Sequence, residues 1–403
     1  LKTYGVRMKK IDLVHPLISG CGAVSGAGTG CAETLEILFD PQKRRMPLPP
    51  SPRCGTTLAD PVFELYELET TGPNRNNMLA RMAIDEALAE AKLTPPMLAS
   101  MRAGVCVGTT TAGQLNDLPL YAELRTGNRE HLGDVATFTK SSPADLLRHQ
   151  YNLTGPALTV SNACASGTDA AGIAQLWLSA GLCDLVLVVG VDELNRIPVA
   201  GFHALGVASP EPCRPFDRDR KGLNLGEGAG CLILETPEHA AKRGVKPDIE
   251  LLSYGSACDA YHPTSPHPEG RGLETAIRTA LALAEVQPGR IAFLNAHGTS
   301  TSANDSCESA VFSRVFGEKV RFLSTKGHTG HTLGAAGTLE LVFSVLMLRR
   351  GEISASRGFE NPDPELPVSP VSSNTILENP EFALSTSLAF GGSNAAAVIR
   401  RRF

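Results

Sequence analysis

Residues 161–190 read SNACASGTDAAGIAQLWLSAGLCDLVLVVG. Just ahead of them, Leu158–Val160 (LTV) reads as the end of a strand. From Cys164 to Gly181 the chain is rich in alanine, with Ile173, Leu176, Trp177 and Ala180 at helical spacing. Leu185–Val189 is then an unbroken apolar run that Gly190 is expected to stop. Strand, helix and strand within thirty residues predict an α/β protein. An apolar run without alternation predicts a sheet covered on both faces.

Working outward, Gly104–Gly108 (GVCVG) reads as a second short buried strand, and Leu17–Ser25 (LISGCGAVS) as a strand entering a glycine-rich turn. Arg75–Lys92 places Leu79, Met82, Ala83, Ala87, Leu88 and Ala91 on one helical face. Ala292–Asn295 and Arg321–Ser324 read as strands of a second half. The charged stretch Pro237–Pro247 marks the expected boundary, giving halves of 1–245 and 246–403. The proline-rich run Pro47–Pro52 reads as a surface excursion.

The 403 residues are 42% hydrophobic, enough for a large core. With 37 basic and 42 acidic residues, the chain lacks the basic excess of a nucleic-acid binder. No apolar run approaches the ~20 residues needed to span a bilayer, and the start has no signal-peptide pattern. Met8, followed by Lys9 and Lys10, reads as a candidate natural start. Ten cysteines with no CxxC spacing suggest neither a disulfide framework nor a structural zinc site. The expectation is a reduced, cytoplasmic protein.

Four stretches could carry chemistry. In the first, Cys164 precedes a helix among the small residues Ala163, Ala165 and Gly167, where the helix dipole favours a thiolate. The second is NAHGTSTSANDSCE (Asn295–Glu308), with His297 followed by Thr299, Ser300 and Thr301. The third is STKGHTGHTLGAAG (Ser324–Gly337), with Lys326, His328 and His331. The fourth is AFGGSNAAAVI (Ala389–Ile399), where Gly391 and Gly392 can offer backbone N–H groups to a developing oxyanion. Each has a bland reading. Cys164 could be an inert buried thiol, His297 a turn residue and the Gly-Gly pair a tight turn. The GAAG stretch could be only a close-packed helix. His328 and His331 could ligate a metal, but no HExxH-type motif supports that.

Taken together, the four stretches resemble the β-ketoacyl-acyl-carrier-protein synthases of the thiolase superfamily. The resemblance runs from ISGCGAVSGAG near the start, through RPFDRDRKGLNLGEGAG (Arg214–Gly230), to LAFGGSNAA. It implies a five-layer αβαβα fold of two similar halves, a homodimer, and an acyl carrier protein as partner for acyl and malonyl groups. It implies no cofactor, no metal and no membrane. By motif, Cys164 would take the acyl group, and His297 and His331 would bind the malonyl thioester carbonyl. Lys326 and Glu340 match a buried ion pair that keeps the histidines neutral. Asp305 and Glu308 match supporting acids, and Thr299 and Thr301 match the residues that hold the pantetheine arm. Phe390 matches a gate beside Gly391 and Gly392, and its N–H with that of Cys164 would hold the tetrahedral oxyanion.

Three departures bear on specificity. In GTTTAGQ (Gly108–Gln114), Thr111 stands where long-chain elongating relatives place an apolar pocket residue, so a short, polar or unsaturated acyl group is expected if its hydroxyl faces the pocket. The segment Leu132–Leu153 is shorter and more polar than usual. The helix from Arg75 has few basic residues, which leaves Lys43, Arg44 and Arg45 as a candidate docking patch. Fatty-acid synthesis and a polyketide or aryl-polyene pathway therefore both stay open. A degradative thiolase would need a second cysteine near the C-terminal glycines, and Ala389–Asn394 has none. A Cys-His hydrolase would leave His331 and Lys326 unexplained. An inactive partner subunit resembling a chain-length factor would lack the nucleophile.

Overall fold

The apolar run at 185–189 forms a strand whose residues are buried throughout, and it continues through Gly190 to Asp192. Gly190 does not stop it. A side chain there would collide with Thr338, 2.5 Å from the Cβ position, so glycine serves close packing instead. The computed structural model describes residues 13–54, 56–68, 75–111, 125–127 and 142–403. Residues 1–7 with Met8, Gln114 and the part of 132–153 before residue 142 lie outside these.

The ten main strands are β1 (Leu17–Ser25), β2 (Ala103–Gly108), β3 (Ala157–Val160), β4 (Leu185–Asp192), β5 (Gly228–Glu235), β6 (Ile249–Cys258), β7 (Ile291–Asn295), β8 (Phe322–Leu323), β9 (Phe382–Ala389) and β10 (Ser393–Arg401). They lie in the order β3-β2-β4-β5-β1-β6-β10-β9-β7-β8. Each strand of the first five has a counterpart five places later. β1–β5 and β6–β10 are antiparallel, as are β5–β4 and β10–β9. β4–β2 and β9–β7 are parallel, as are β2–β3 and β7–β8. The two sets touch through β1 and β6, at Leu17–Glu250 and Ile18–Ile249. The second set begins at Ile249, after a segment that includes a short helix at Pro237–Lys242.

Helices separate the layers. Those used below are α1 (Cys31–Phe39), α2 (Arg75–Glu90), α3 (Ser166–Ser179), α4 (Arg196–Ala204), α5 (Arg271–Ala284), α6 (Ser302–Phe316) and α7 (Ala336–Arg350). α2 covers the outer face of β1, β4 and β5, and α5 covers β6 and β10. α3 touches β2 and β4 on one side and β6 and β10 on the other, and α7 lies beside it. The result is the five-layer αβαβα, thiolase-like fold, with α3 and α7 as the middle layer.

Where α3 and α7 begin, glycines bring the two backbones close together. A Cβ on Gly167 would lie 2.7 Å from the Thr338 nitrogen, and one on Gly337 would lie 2.2 Å from Thr168 Oγ1. The glycines of GAAG thus let the backbones of the two halves meet.

We expect Gly337→Ala to lower stability by ~1–3 kcal/mol through overpacking. Gly201, within α4 and with open space at its Cβ position, is the control: Gly201→Ala should raise stability by ~0.5–1 kcal/mol. Urea unfolding of the two variants checks the opposite signs.

Candidate active site

The nucleophile candidate sits on a strained turn. β3 ends at Val160, and Ala163 then takes a left-handed φ of 46°, unusual for a non-glycine residue. Ser166 pins the turn, its hydroxyl accepting from the Asn162 N–H (2.7 Å) and donating to the Ala163 carbonyl (2.6 Å). Cys164 is 5% exposed, and its Sγ lies 3.0 Å from His331 Nε2. Burial pushes its thiol up to about 12, with the Lys326 charge and the Phe390 N–H pulling the other way. The sequence reading favoured a thiolate through the helix dipole. Cys164 lies two residues before α3, and burial, the largest influence on it, favours the neutral thiol.

His297 follows β7 in a loop whose shape is held by two acids on α6. Glu308 accepts from the backbone N–H of His297 (2.8 Å) and of Gly298 (2.6 Å). Asp305 accepts from Ser300 (3.2 Å) and Phe216 (2.7 Å). Asn304 donates to both carboxylates. Both acids are fully buried, and burial pushes Asp305 up to about 7. Thr299 and Thr301 share a hydrogen bond of 2.8 Å beside the same loop.

Lys326 fixes the protonation of His297. Its ammonium has three protons and three partners: His297 Nδ1 (3.2 Å), the His297 carbonyl (2.5 Å) and the Glu340 carboxylate. An ammonium only donates, so Nδ1 must accept and the imidazole proton sits on Nε2. Burial, followed by the Lys326 charge, holds His297 and His331 well below the usual histidine range, so both rings are neutral. The rings meet edge to face at 5.0 Å. Among the described residues His331 Nδ1 is buried without a partner. A buried N–H with no acceptor is the costlier orphan, which places this ring's proton on Nε2 as well.

His331 is positioned by its backbone. Its N–H donates to the Asn224 carbonyl (2.7 Å), and its carbonyl accepts from Gly226 (3.0 Å), both within the Arg214–Gly230 motif. The turn after it is tied to Asp192, which accepts from Gly334 (2.7 Å) and from the hydroxyls of Thr109 (2.7 Å) and Thr110 (2.8 Å). Asn195 donates to the Thr111 hydroxyl (3.3 Å). All three threonine hydroxyls thus have a partner, that of Thr111 as an acceptor.

A cavity of about 490 Å³ opens onto Cys164, His297, His331, Thr299, Thr301 and Phe390. Thr111, Gly391 and Gly392 are not among its lining residues. Gly391 and Gly392 have φ of 85° and 81°, and the Gly391 N–H is spent on the Pro263 carbonyl. The N–H that faces the sulfur is that of Phe390, not of a glycine. The Phe390 ring stacks on Phe202 at 5.3 Å, and Phe202 in turn meets His331 edge-on.

Sequence reasoning passed over Asp192, Phe202 and a network behind the nucleophile. In that network Asp169 accepts from Tyr254 (2.6 Å) and Asn162 (2.6 Å), and Asn162 accepts from Ser393 (2.8 Å). It ties the Cys164 turn to the Gly-Gly turn. An acid closing the apolar strand LVLVVGVD was the one legible signal. The donor atoms of Cys164, His297 and His331 lie within 4.8 Å of one another, a spacing that soft metals use. The Lys326 ammonium opposes a cation there, and His328 is not part of the group. Among the candidate docking cations, Lys43 pairs with Glu36 and Arg45 with Glu33 and Glu67, while Arg44 donates to the Gly327 carbonyl.

The model of the β-ketoacyl synthase N-terminal domain matches residues 59–240, and that of the C-terminal domain matches 249–360. Nodulation protein E of Rhizobium leguminosarum bv. trifolii is 33% identical over 96% of this chain and 98% of its own length. The 3-oxoacyl-[acyl-carrier-protein] synthase 2 of Staphylococcus aureus (strain MRSA252) is 32% identical over the same shares. A solved structure of the ishigamide ketosynthase/chain length factor superposes with a TM-score of 0.86 at 30% identity, covering 97% of this chain and all of that one.

Removing Lys326 should leave Glu340 as a buried, unpaired carboxylate. We expect Lys326→Met to lower stability by ~3–5 kcal/mol, and Lys326→Met/Glu340→Leu to recover most of that loss. A double-mutant cycle in urea measures the coupling.

Proposed function

The chain belongs to the β-ketoacyl synthase family, a family of condensing enzymes, and we propose that it joins an acyl group on Cys164 to a malonyl unit by decarboxylative Claisen condensation. The acyl and malonyl groups arrive as thioesters of acyl carrier protein. The observation that carries this reading is the Lys326 contact that leaves His297 a neutral Nε2–H donor beside Cys164 and His331.

The steps follow from the residues. The Cys164 sulfur attacks the acyl thioester and the pantetheine thiol leaves with the proton. The oxyanion formed in that step is held by the N–H groups of Phe390 and Cys164. Malonyl thioester then enters past Phe390, with Thr299 and Thr301 on its pantetheine arm. Its carbonyl oxygen accepts from Nε2–H of His297 and of His331. Carbon dioxide leaves, and the enolate charge falls on that oxygen. Two neutral donors stabilise the enolate without protonating its carbon, which an imidazolium would do. The carbon attacks the Cys164 thioester, the C–S bond breaks, and the thiolate regains a proton. Lys326 and Glu340 keep the rings neutral, and Asp305 and Glu308 hold the loop.

Pairing with a second copy is supported by β3, a short edge strand with Leu158 42% exposed. Ten free cysteines support a reducing, cytoplasmic setting. Among the described residues no helix is long and apolar enough to cross a membrane. A polyketide pathway is favoured as a second reading by the likeness, at 26% identity and a TM-score of 0.85, to a ketosynthase solved with a type II PKS acyl-carrier protein. A screen of carrier-protein-bound acyl donors with malonyl-carrier protein separates the pathways.

Cys164→Ala should abolish condensation and leave no acyl adduct by mass spectrometry, while remaining folded. His331→Ala should still acylate Cys164 but lose malonyl decarboxylation by ~100-fold or more, the scale of one lost oxyanion donor. Loss of acylation with decarboxylation intact would reverse the assigned roles.

A further inference from the structure

A pair of sulfurs lies apart from the cavity. Cys21 is buried in β1, and Cys31 is the first residue of α1 and only half-buried. The chain between them reverses through Gly28 and Gly30, at φ of 133° and 105°, and this brings α1 back over the strand. The two Sγ atoms are 4.0 Å apart. Glu90 Oε2 accepts from the Cys21 N–H (2.7 Å) and from its thiol (3.2 Å). Arg349 Nη1 binds Glu90 Oε1 (2.7 Å) and lies 3.9 Å from the Cys21 sulfur.

We propose that Cys21 and Cys31 are a redox-active pair that a hydroperoxide converts to a disulfide. Cys31 is the sulfur a reagent reaches first. Its sulfur attacks the peroxide oxygen, the O–O bond breaks, and an alcohol or water leaves as Cys31 becomes a sulfenic acid. The Cys21 sulfur then attacks that sulfur. The S–S bond forms, the S–O bond breaks, and the Cys21 proton passes through Glu90 to the departing hydroxide as water. The sulfurs must close from 4.0 Å to a bond of ~2 Å. Arg349 holds the Glu90 carboxylate at the thiol it must deprotonate. A thiol reductant reverses the bond, which is compatible with a reducing compartment.

Tryptic residues 11–43 contain both cysteines and no other. The full chain is treated with hydrogen peroxide, quenched with iodoacetamide and digested. We expect this peptide to lose two hydrogens and resist alkylation, to recover both alkylations after dithiothreitol, and to show a raised thermal midpoint before reduction. In Cys21→Ser, Cys31 should stop at a dimedone-trappable sulfenic acid. Cys31→Ser should leave Cys21 alkylatable and condensation unchanged. Two outcomes would overturn the proposal. One is both thiols remaining alkylatable at peroxide levels that modify Cys164. The other is wild-type Cys31 proceeding to sulfinic acid without a link.

Discussion

An ammonium sealed from water must have each of its protons accepted, and Lys326 meets that demand with one carboxylate, one carbonyl and one imidazole nitrogen. The rest of the site follows from that constraint. Glu340 has to come from α7, so α7 must approach the loop of His297 closely, and glycines in the middle layer permit the approach. Asn295 caps the arrangement by donating to the Glu340 carbonyl (3.0 Å). The imidazole that receives the third proton is left with only one tautomer. The charge both orients the ring and opposes its protonation.

Backbone strain gathers around the same place. Ala163, Phe216, Ser300 and Leu333 all have left-handed φ without being glycine. Ala163 adjoins Cys164, Ser300 lies in the His297 loop and Leu333 in the turn after His331, while Phe216 donates its N–H to Asp305. Each such residue costs ~1–3 kcal/mol and persists only where its surroundings fix it. The fixing groups are visible: Ser166 at the first turn, Asp305 at the second and third, and Asp192 at the last. Ser166 and the buried acids thereby hold the turns that carry Cys164, His297 and His331.

Much of this was legible in the sequence, and the reasons differ by element. Unalternating runs such as Leu185–Val189 announce buried strands because both faces are covered. Cys164, His297, Lys326 and His331 stand in short motifs whose neighbours are small or hydroxylated. Gly190 was misread, because a glycine that ends a strand and one that admits a neighbouring helix look alike along the chain. The state of the Cys164 sulfur was also beyond reach, since it depends on burial contributed by distant segments. The Asp169–Asn162–Ser393 network spans more than two hundred residues and leaves no local pattern. The duplication was expected from the family resemblance alone, because it lies in strand order and direction while the side chains of the two halves differ.

That duplication places equivalent loops of the two halves against one another. The β3–α3 loop carries Cys164, and its counterpart between β8 and α7 carries Lys326 and His331. The loop after β2 carries the three threonines, and its counterpart after β7 carries His297. In the proposed reaction the first half holds the electrophile and the second activates the donor. Such a division of labour uncouples two evolutionary paths. Substitutions in the first half can retune which acyl group is held while the decarboxylating apparatus of the second stays intact, so that lineages built on one scaffold can diversify their products without relearning the chemistry.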